Sequence, residues 1–550
     1  MESLETYAQR WLAADPDPVT RAELTALLDH PVHADRNELI DRFGSRLTFG
    51  TAGLRGALGA GPNRMNRLTV RAAAAGLGAF LDPRSTVVIG FDGRTNSEAF
   101  ATDVAGMLAA AGHRALRFAK LGPTPLLAFA VRHLGADAGV MITASHNPPQ
   151  DNGVKVYLSD GAQLVAPDDD AIEAHIGAAL DRLEWLGRDL DEQLHTHEMN
   201  SVQMHPVELV GGDVAEAYLT AILAAVPLQS DPSRRARLRI VHTAMHGVAT
   251  ELALELLRRA GFTDVHSVPE QARPDPDFPT VAFPNPEEPG ALDLALSAGN
   301  RALADVILAN DPDADRLAVI VRAPADDPFG AALHGWRALH GNHVGWLLAD
   351  HLSPPSVATT IVSSTLLRAM AQDRGWRYTE TLTGFKWLAR TGASFAYEEA
   401  LGYGVTDVVH DKDGLSAALA FADLCAFGSP LQRLAAIEAR YGRRRMGTTN
   451  VRDNVAELMA AARRSPHPET LAGQPVRCVT DLLSVDGGLG VTGLPSSDVV
   501  IVELGPPDRE VARVVVRPSG TEPKAKIYFE TNDELPMEAL VDDVMRWLEP

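Results

Sequence analysis

The stretch STVVIGF (85–91), followed by Asp92-Gly93-Arg94, SEAFATDVAGMLAAAG (97–112) and ALRFA (115–119), carries the signal that decides the fold. A short apolar, β-branched run empties into a glycine turn. An alanine-rich helical segment follows, Gly112 closes it, and a second apolar run begins. That order predicts a βαβ unit: a buried strand, a turn, a helix and a second strand. It leads on to GVMIT (139–143) and a polar loop over residues 144–153.

The same grammar recurs. RIVHTAMH (239–246) reads as a strand, Gly247 as the turn and ATELALELLRRAG (249–261) as the helix; DVILA (305–309) then runs into NDPDADR (310–316). A third copy starts at ATTIVSS (358–364) and continues through TLLRAMAQDRG (365–375), RYTETLT (377–383) and SFAYEEALGYG (394–404). The repetition lies in the order of elements, not in the residues. Ligand sites in α/β units lie at the carboxyl ends of the strands, so three similar α/β domains are expected, their loops facing a shared central cleft. From about residue 448 the pattern changes to α+β. Helix ELMAAARR (457–464) precedes the strands PVRCVTDL, DVVIVEL, EVARVVV and KAKIYFE and a last helix, EALVDDVMRWLE. The expected fold class is thus α/β, three α/β domains with mixed sheets plus a smaller α+β C-terminal domain. The boundaries fall at 1–207, 208–325, 326–440 and 441–550. The first 45 residues read as helical, with Thr20 and Glu23 as a capping box. THEMNSVQMHP (196–206) reads as a linker.

Composition bounds the function. The chain has 550 residues, 45% apolar and 22% charged, which suits roughly three to five folded domains. Its formal charge is −22. A general nucleic-acid binder needs a basic face to release counterions, so none is expected. An anionic small substrate would have to sit in a local basic pocket. Cys425 and Cys478 lie in apolar runs without a CxxC partner, which predicts core packing for both and a reducing compartment. The acidic N-terminus lacks the features of a signal peptide, and no apolar run is long enough to span a membrane. The expectation is a cytoplasmic protein.

Three loops carry chemistry. In TASHNPP (143–149), with DNGVK (151–155) downstream, Ser145 stands beside His146, with Lys155 ten residues on. A serine nucleophile needs an activating neighbour or must arrive already modified; the competing reading is a polar strand-to-helix turn ended by Asn147-Pro148. In DPDADR (311–316), alternating carboxylates of Asp311, Asp313 and Asp315 converge on one hard cation, most simply Mg²⁺. An EF-hand is excluded because Arg316 and Arg322 stand where its glycine and glutamate would be. The competing reading is a solvated acidic turn, but three such close carboxylates repel one another without a cation. RPSGTEPK (517–524) places one guanidinium, two hydroxyls, a glycine and a lysine between two strands, a phosphate cradle or else a hairpin turn. Weaker alone are FGTAGLRG (49–56), with Arg55, and YEEALG (397–402) with DKDG (411–414), whose carboxylates suit sugar hydroxyls and whose Lys412 suits acid–base work. GLGVTG (488–493) matches a dinucleotide fingerprint but precedes a strand, which excludes that reading.

Together the loops are specific, and the chain resembles the α-D-phosphohexomutase superfamily, the phosphoglucomutases and phosphomannomutases. The resemblance rests on TASHNPPQDNGVKVY (143–157), DPDADR (311–316), TGFKWL (383–388), YEEALGYG (397–404) with DKDG, RPSGTEPK and FGTAGLRG, and spans about residues 45 to 530. It implies a four-domain, heart-shaped isomerase that moves a phosphoryl group between the 1- and 6-positions of a glucose or mannose phosphate. Ser145 would be the phosphoserine and, with Asp311, Asp313 and Asp315, a ligand of Mg²⁺. A sugar bisphosphate of the glucose 1,6-bisphosphate type would be intermediate and activator. Arg316 would neutralise the transferring group. Arg517, Ser519, Gly520, Thr521 and Lys524 would hold the other phosphate. Glu398 and Glu399, with Thr383, Gly384 and Lys386, would hold the sugar. His146, Lys155, Arg55 and Lys412 are the acid–base and stabilising candidates.

The sugar loop departs from the hexose pattern. Glucose-specific members have serine after the two glutamates, where this chain has Ala400. The Glu-Glu-Ala-Leu-Gly-Tyr form is similar to the branch that contains phosphopentomutases and glucose 1,6-bisphosphate synthases. Ribose phosphate mutation and bisphosphate synthesis are therefore the alternative activities. A sugar-phosphate sensor is the non-enzymatic one; it would have lost Ser145, the aspartates or Arg517, and none is lost.

Overall fold

A computed structural model describes residues 3–29, 33–49, 53–188, 207–324, 335–484, 493–507, 509–519 and 524–549. The chain divides into two compact units: residues 1–339 with 400–428, and residues 340–399 with 429–550. Among the described residues no single helix is long and apolar enough to cross a membrane.

In the first unit, strand Thr86–Phe91 lies inside a six-stranded mixed sheet. It pairs in parallel with Arg114–Phe118 on one side and Ala138–Ile142 on the other. Parallel neighbours need a crossover, and helices Ser97–Ala110 and Thr124–His133 supply them. Beyond Ala138–Ile142 the chain does not enter a helix. It returns as strand Asp151–Leu158, antiparallel, with Met141 opposite Lys155 and Ile142 opposite Val154. The serine loop is thus a strand-to-strand connection, and its register carries Lys155 back beside it. Leu54–Ala57 adds an antiparallel edge next to Asp151–Leu158.

A five-stranded sheet follows, in the order Trp336–Ala338, Leu317–Arg322, Val306–Asn310, Arg239–Thr243, Asp264–Ser267. Val306–Asn310 pairs in parallel with Arg239–Thr243 but antiparallel with Leu317–Arg322, Asn310 opposite Leu317. Residues 311–316 are therefore a hairpin loop between two largely apolar, buried strands. Helix Gly414–Phe427, buried along most of its length, packs on strand Val306–Asn310.

The second unit holds three parallel strands, Arg377–Thr381, Ser356–Thr360 and Phe395–Glu398. It also holds an antiparallel sheet ordered Arg445–Val451, Ala525–Thr531, Ala512–Pro518, Val500–Leu504, Gln474–Asp481, Thr470–Leu471. Period-two alternation splits that sheet's faces. Val500, Val502, Val514 and Val516 face helices Val455–Ala462 and Met537–Trp547, whereas Ile501 and Val515 meet Ile361, Val362 and Leu382. The α/β segments and the smaller α+β C-terminal domain are as the sequence predicts.

Two local expectations are corrected. Thr20 is not a cap. Helix Pro18–Asp29 starts at Pro18, Asp17 Oδ1 accepts from Val19 N at 2.9 Å, and Thr20 Oγ1 donates to Asp15 Oδ2 at 2.7 Å. Proline at the first helical position after an aspartate cap outcompetes the later box. Glu23 instead accepts from Ala60 N and pairs with Arg42. Nor is Cys478 a core residue: it is exposed, because a bulge between Val476 and Cys478 shifts the strand's alternation. Cys425 is half-buried.

Within the second unit Arg513 Nη1 donates to Glu380 Oε1 at 2.8 Å, and Arg368 Nη2 and Tyr378 Oη reach the same oxygen. Burial pushes Glu380 up, but Arg513, Arg368 and these hydrogen bonds outweigh it and hold the carboxyl at about 2. Its folded pKa lies below the 4.5 of a free glutamate, so its stabilising contribution is full above that pH and fades as pH falls toward 2. E380Q should lower stability at pH 7 by about 3 kcal/mol, by leaving Arg513 buried without its partner. In urea unfolding, the gap to the wild type should narrow below pH 4.5; a gap independent of pH contradicts the assignment.

Candidate active site

Ser145 sits at the carboxyl end of strand Ala138–Ile142 in the left-handed region, φ 54°. Its N–H donates to Thr143 Oγ1 at 2.8 Å. Its Oγ donates to Asp311 Oδ2 at 2.8 Å and lies 3.1 Å from His146 Nδ1. Arg94, three residues beyond strand Thr86–Phe91, holds the loop's backbone. Its Nη2 donates to the carbonyls of Ser145 (2.7 Å) and Asn147 (2.6 Å), and its Nη1 to those of Pro148 (2.7 Å) and Asp151 (3.1 Å). The sequence reading passed over this arginine. A charged pair, Asp92 and Arg94, closing an otherwise apolar strand was the available signal.

Asp311, Asp313 and Asp315 are fully buried, and one oxygen of each lies within 4.8 Å of the others. The loop's backbone is fixed by three helix starts. Thr124 N donates to the carbonyl of Asp313 at 2.9 Å, Val248 N to that of Pro312 at 2.9 Å and Gly414 N to that of Ala314 at 3.1 Å. Helices Thr124–His133, Thr250–Arg259 and Gly414–Phe427 begin at or just after these donors, so three positive dipole ends face one acidic loop. Two glycines permit the approach. A Cβ at Gly247 would stand 2.3 Å from Pro312 Cα, and one at Gly414 2.3 Å from the carbonyl oxygen of Arg316.

Lysines meet the carboxylates. Lys155 Nζ donates to Asp313 Oδ2 at 2.6 Å and Asp315 Oδ2 at 2.7 Å; Lys412 Nζ lies 3.1 Å from Asp315 Oδ2. Thr124 Oγ1 donates to Asp313 Oδ2, and Arg316 N to Asp311 Oδ1. The Lys412 loop is held in turn. Tyr157 Oη and Gln163 Nε2 donate to Asp411 Oδ2, Tyr218 Oη donates to Asp413 Oδ1, and Asp413 caps helix Gly414–Phe427.

Burial, then the neighbouring Asp313 and Asp315, push Asp311 well above the carboxylate range. Burial also acts on Asp313, but the charge and hydrogen bond of Lys155 outweigh it and hold it below. For His146, burial and then the charges of Arg316 and Arg55 push its pKa well below 6.5, which leaves the imidazole neutral. Among the described residues nothing donates a hydrogen bond to Asp313 Oδ1 or Asp315 Oδ1, though both are buried. Two unsatisfied carboxylate oxygens beside Asp311 are a hard, all-oxygen donor set, which fits a divalent cation of the magnesium class.

The expected residues fall into two groups, each within one unit. Ser145, His146, Lys155, Arg55, Arg316, Lys412 and the three aspartates belong to the first. Arg55 Nε is buried without a hydrogen bond among the described residues. In the second unit Glu398 ends strand Phe395–Glu398 and Glu399 follows it, and Glu399 Oε2 accepts from Ser363 Oγ at 3.1 Å. Thr383 and Gly384 precede the short helix carrying Lys386. Arg517 ends strand Ala512–Pro518, and Ser519 N donates to the Lys524 carbonyl at 2.7 Å. Burial, then Glu399, push the Tyr528 phenol up while Arg517 opposes, which puts the three in one neighbourhood. Gly520 and Thr521 lie outside the described residues, as do Gly50–Ala52, the 196–206 linker and most of GLGVTG.

Four family models match in order. Their descriptions are phosphoglucomutase/phosphomannomutase alpha/beta/alpha domains I (46–182), II (216–324) and III (340–441), and the C-terminal domain (508–546). A Haemophilus influenzae protein named "Probable phosphomannomutase" is 39% identical over 86% of this chain and 94% of its own length. The chain belongs to the phosphoglucomutase/phosphomannomutase family. It is a phosphomutase, an isomerase of the α-D-phosphohexomutase superfamily, with that superfamily's four-domain architecture. The phosphoribomutase of Saccharomyces cerevisiae is 34% identical over 94% of this chain and 91% of its own. In fold, the chain is similar to a phosphoglucomutase/phosphomannomutase family protein of Burkholderia thailandensis, with TM-score 0.67 and 20% identity over 91% of this chain and 96% of that one.

Lys155 is the phosphomutase's internal counter-charge, 1% exposed. K155M should cost about 3 kcal/mol in metal-free protein, because it strands Asp313 without a cation and leaves Asp315 to Lys412. Millimolar Mg²⁺ should restore part of the loss. Urea unfolding with and without Mg²⁺ checks this; a K155M protein as stable as wild type, or indifferent to Mg²⁺, contradicts it.

Proposed function

We propose that this phosphomutase moves a phosphoryl group between the 1- and 6-positions of a glucose or mannose phosphate through phosphorylated Ser145. The observation that carries the reading is Ser145 Oγ at 2.8 Å from Asp311, beside two carboxylate oxygens without hydrogen bonds. Asp311, Asp313, Asp315 and a phosphoserine oxygen would hold Mg²⁺, which when bound neutralises charge on the transferring group.

The chain's own residues do the rest. A sugar hydroxyl oxygen attacks the phosphoserine phosphorus, the P–O bond to Ser145 Oγ breaks, the hydroxyl gives up its proton and the serine oxygen takes one. The resulting bisphosphate returns its other phosphoryl group to Ser145 by the reverse exchange, so trace sugar bisphosphate acts as activator. Of the acid–base candidates, His146 has a ring nitrogen 3.1 Å from Ser145 Oγ. Lys155 is tied to two carboxylates and serves as a fixed charge. Arg316 and Arg55 steady the transferring group. Arg517, Ser519, Gly520, Thr521 and Lys524 hold the distal phosphate, while Glu398, Glu399, Thr383, Gly384 and Lys386 hold the sugar. Domain boundaries near 207, 325 and 440 assign the serine, metal, sugar and phosphate loops to successive domains. The chain's −22 charge supports a small phosphosugar as ligand rather than nucleic acid, and two free cysteines support a reducing cytoplasm.

A second reading, exchange between ribose 1-phosphate and ribose 5-phosphate, is favoured by Ala400. It offers no hydroxyl to the sugar loop, and a relative is named phosphoribomutase. Comparing kcat/KM for glucose 1-phosphate, mannose 1-phosphate and ribose 1-phosphate, with Mg²⁺ and trace bisphosphate, separates the two. A hexose should be preferred, and S145A should lose at least about 1,000-fold. Preference for ribose 1-phosphate supports the second reading. Full activity in S145A contradicts both.

A further inference from the structure

Ser145 holds a left-handed backbone, φ 54°, that costs a non-glycine residue about 1 kcal/mol. Such conformations persist where the surroundings over-determine them. Here one side chain ties both arms of the loop together. Arg94, 4% exposed, donates to four carbonyls on the two arms of the serine loop, at 2.6–3.1 Å. Its own seat is closed from both sides. Asp92 Oδ2 lies 3.5 Å from its Nε, and the Phe278 ring centroid lies 5.0 Å from its Cζ.

We infer that Arg94 is a positioning residue for phosphoryl transfer: by fixing the carbonyls of Ser145, Asn147, Pro148 and Asp151 it sets Ser145 Oγ against Asp311. Arg94 itself touches neither Ser145 Oγ nor the three aspartates through any hydrogen bond. A planar fork with five N–H donors reaches four acceptors in fixed directions, which a lysine ammonium with three freely rotating donors does not reproduce. Without the fork the loop relaxes, and Ser145 Oγ moves off its line to the metal-site carboxylates. A misplacement of about 1 Å costs on the order of 100-fold in rate.

The inference rests on the phosphoserine reading, and the test separates the two. R94M and R94K are compared with wild type, all with Mg²⁺, on whichever of the three sugar phosphates the wild type turns over fastest. Ser145 phosphate uptake from glucose 1,6-bisphosphate is followed by intact mass, and folding by thermal melting. In R94M kcat should fall about 100-fold with KM within about threefold of wild type, and phosphate uptake should slow by the same factor. R94K should lose about tenfold, since it keeps the charge but not the fork. A wild-type kcat in both variants overturns the inference, as does a raised KM at unchanged kcat. Loss of native melting in both variants overturns it too, since it would make Arg94 a folding residue. A wild type that takes no phosphate on Ser145 overturns the phosphoserine reading itself.

Discussion

Three aspartates packed into one six-residue hairpin loop, all fully buried and with oxygens within 4.8 Å, set the terms for the first unit. Two carboxylates about 4 Å apart repel by roughly 4 kcal/mol even at an effective dielectric constant of 20. The loop survives because positive groups converge on it from separate elements: Lys155 from a strand, Lys412 from a distant loop, and the starts of three helices. The residual orphan oxygens of Asp313 and Asp315 mark where these groups stop and a cation would continue. Sheet order, helix placement and the close glycine contacts at 247 and 414 all serve this one convergence.

The convergence also answers the problem raised by charge. A chain at −22 repels an anionic substrate at long range. The local field around Ser145 differs, since Lys155, Lys412, Arg55 and Arg316 surround the aspartates there. Burial, with the charges of Arg316, Arg55 and Lys155, holds His146 neutral. A second cationic group, around Arg517 in the other unit, stands by Tyr528 and the Glu399 carboxylate. Cationic groups at two places, with carboxylates near one of them, are donor sets that would suit a phosphosugar.

Much of this was legible in the sequence, and the failures have physical causes. Buried parallel strands such as Thr86–Phe91 and Val306–Asn310 are continuous apolar runs, and the loops after them stand out as polar interruptions. Strand Arg445–Val451 was missed because it is a polar edge with only half-buried alternation. Cys478 was misread because a bulge is invisible to period-two counting. Thr20 lost to the nearer aspartate–proline start. Arg94 escaped notice because its partners are backbone carbonyls, which carry no residue signature. The Lys412–Asp315 contact joins positions far apart in the chain, and only the resemblance to a known family suggested the two loops shared a site.

The aspartate cluster has the donor set of a cation site built around Ser145. Anomalous diffraction from crystals soaked in Mn²⁺, in place of Mg²⁺, tests it most directly. One strong peak is expected, bounded by Asp311, Asp313, Asp315 and Ser145 Oγ and weakened in D313N. A map with no peak there at saturating Mn²⁺ would contradict it.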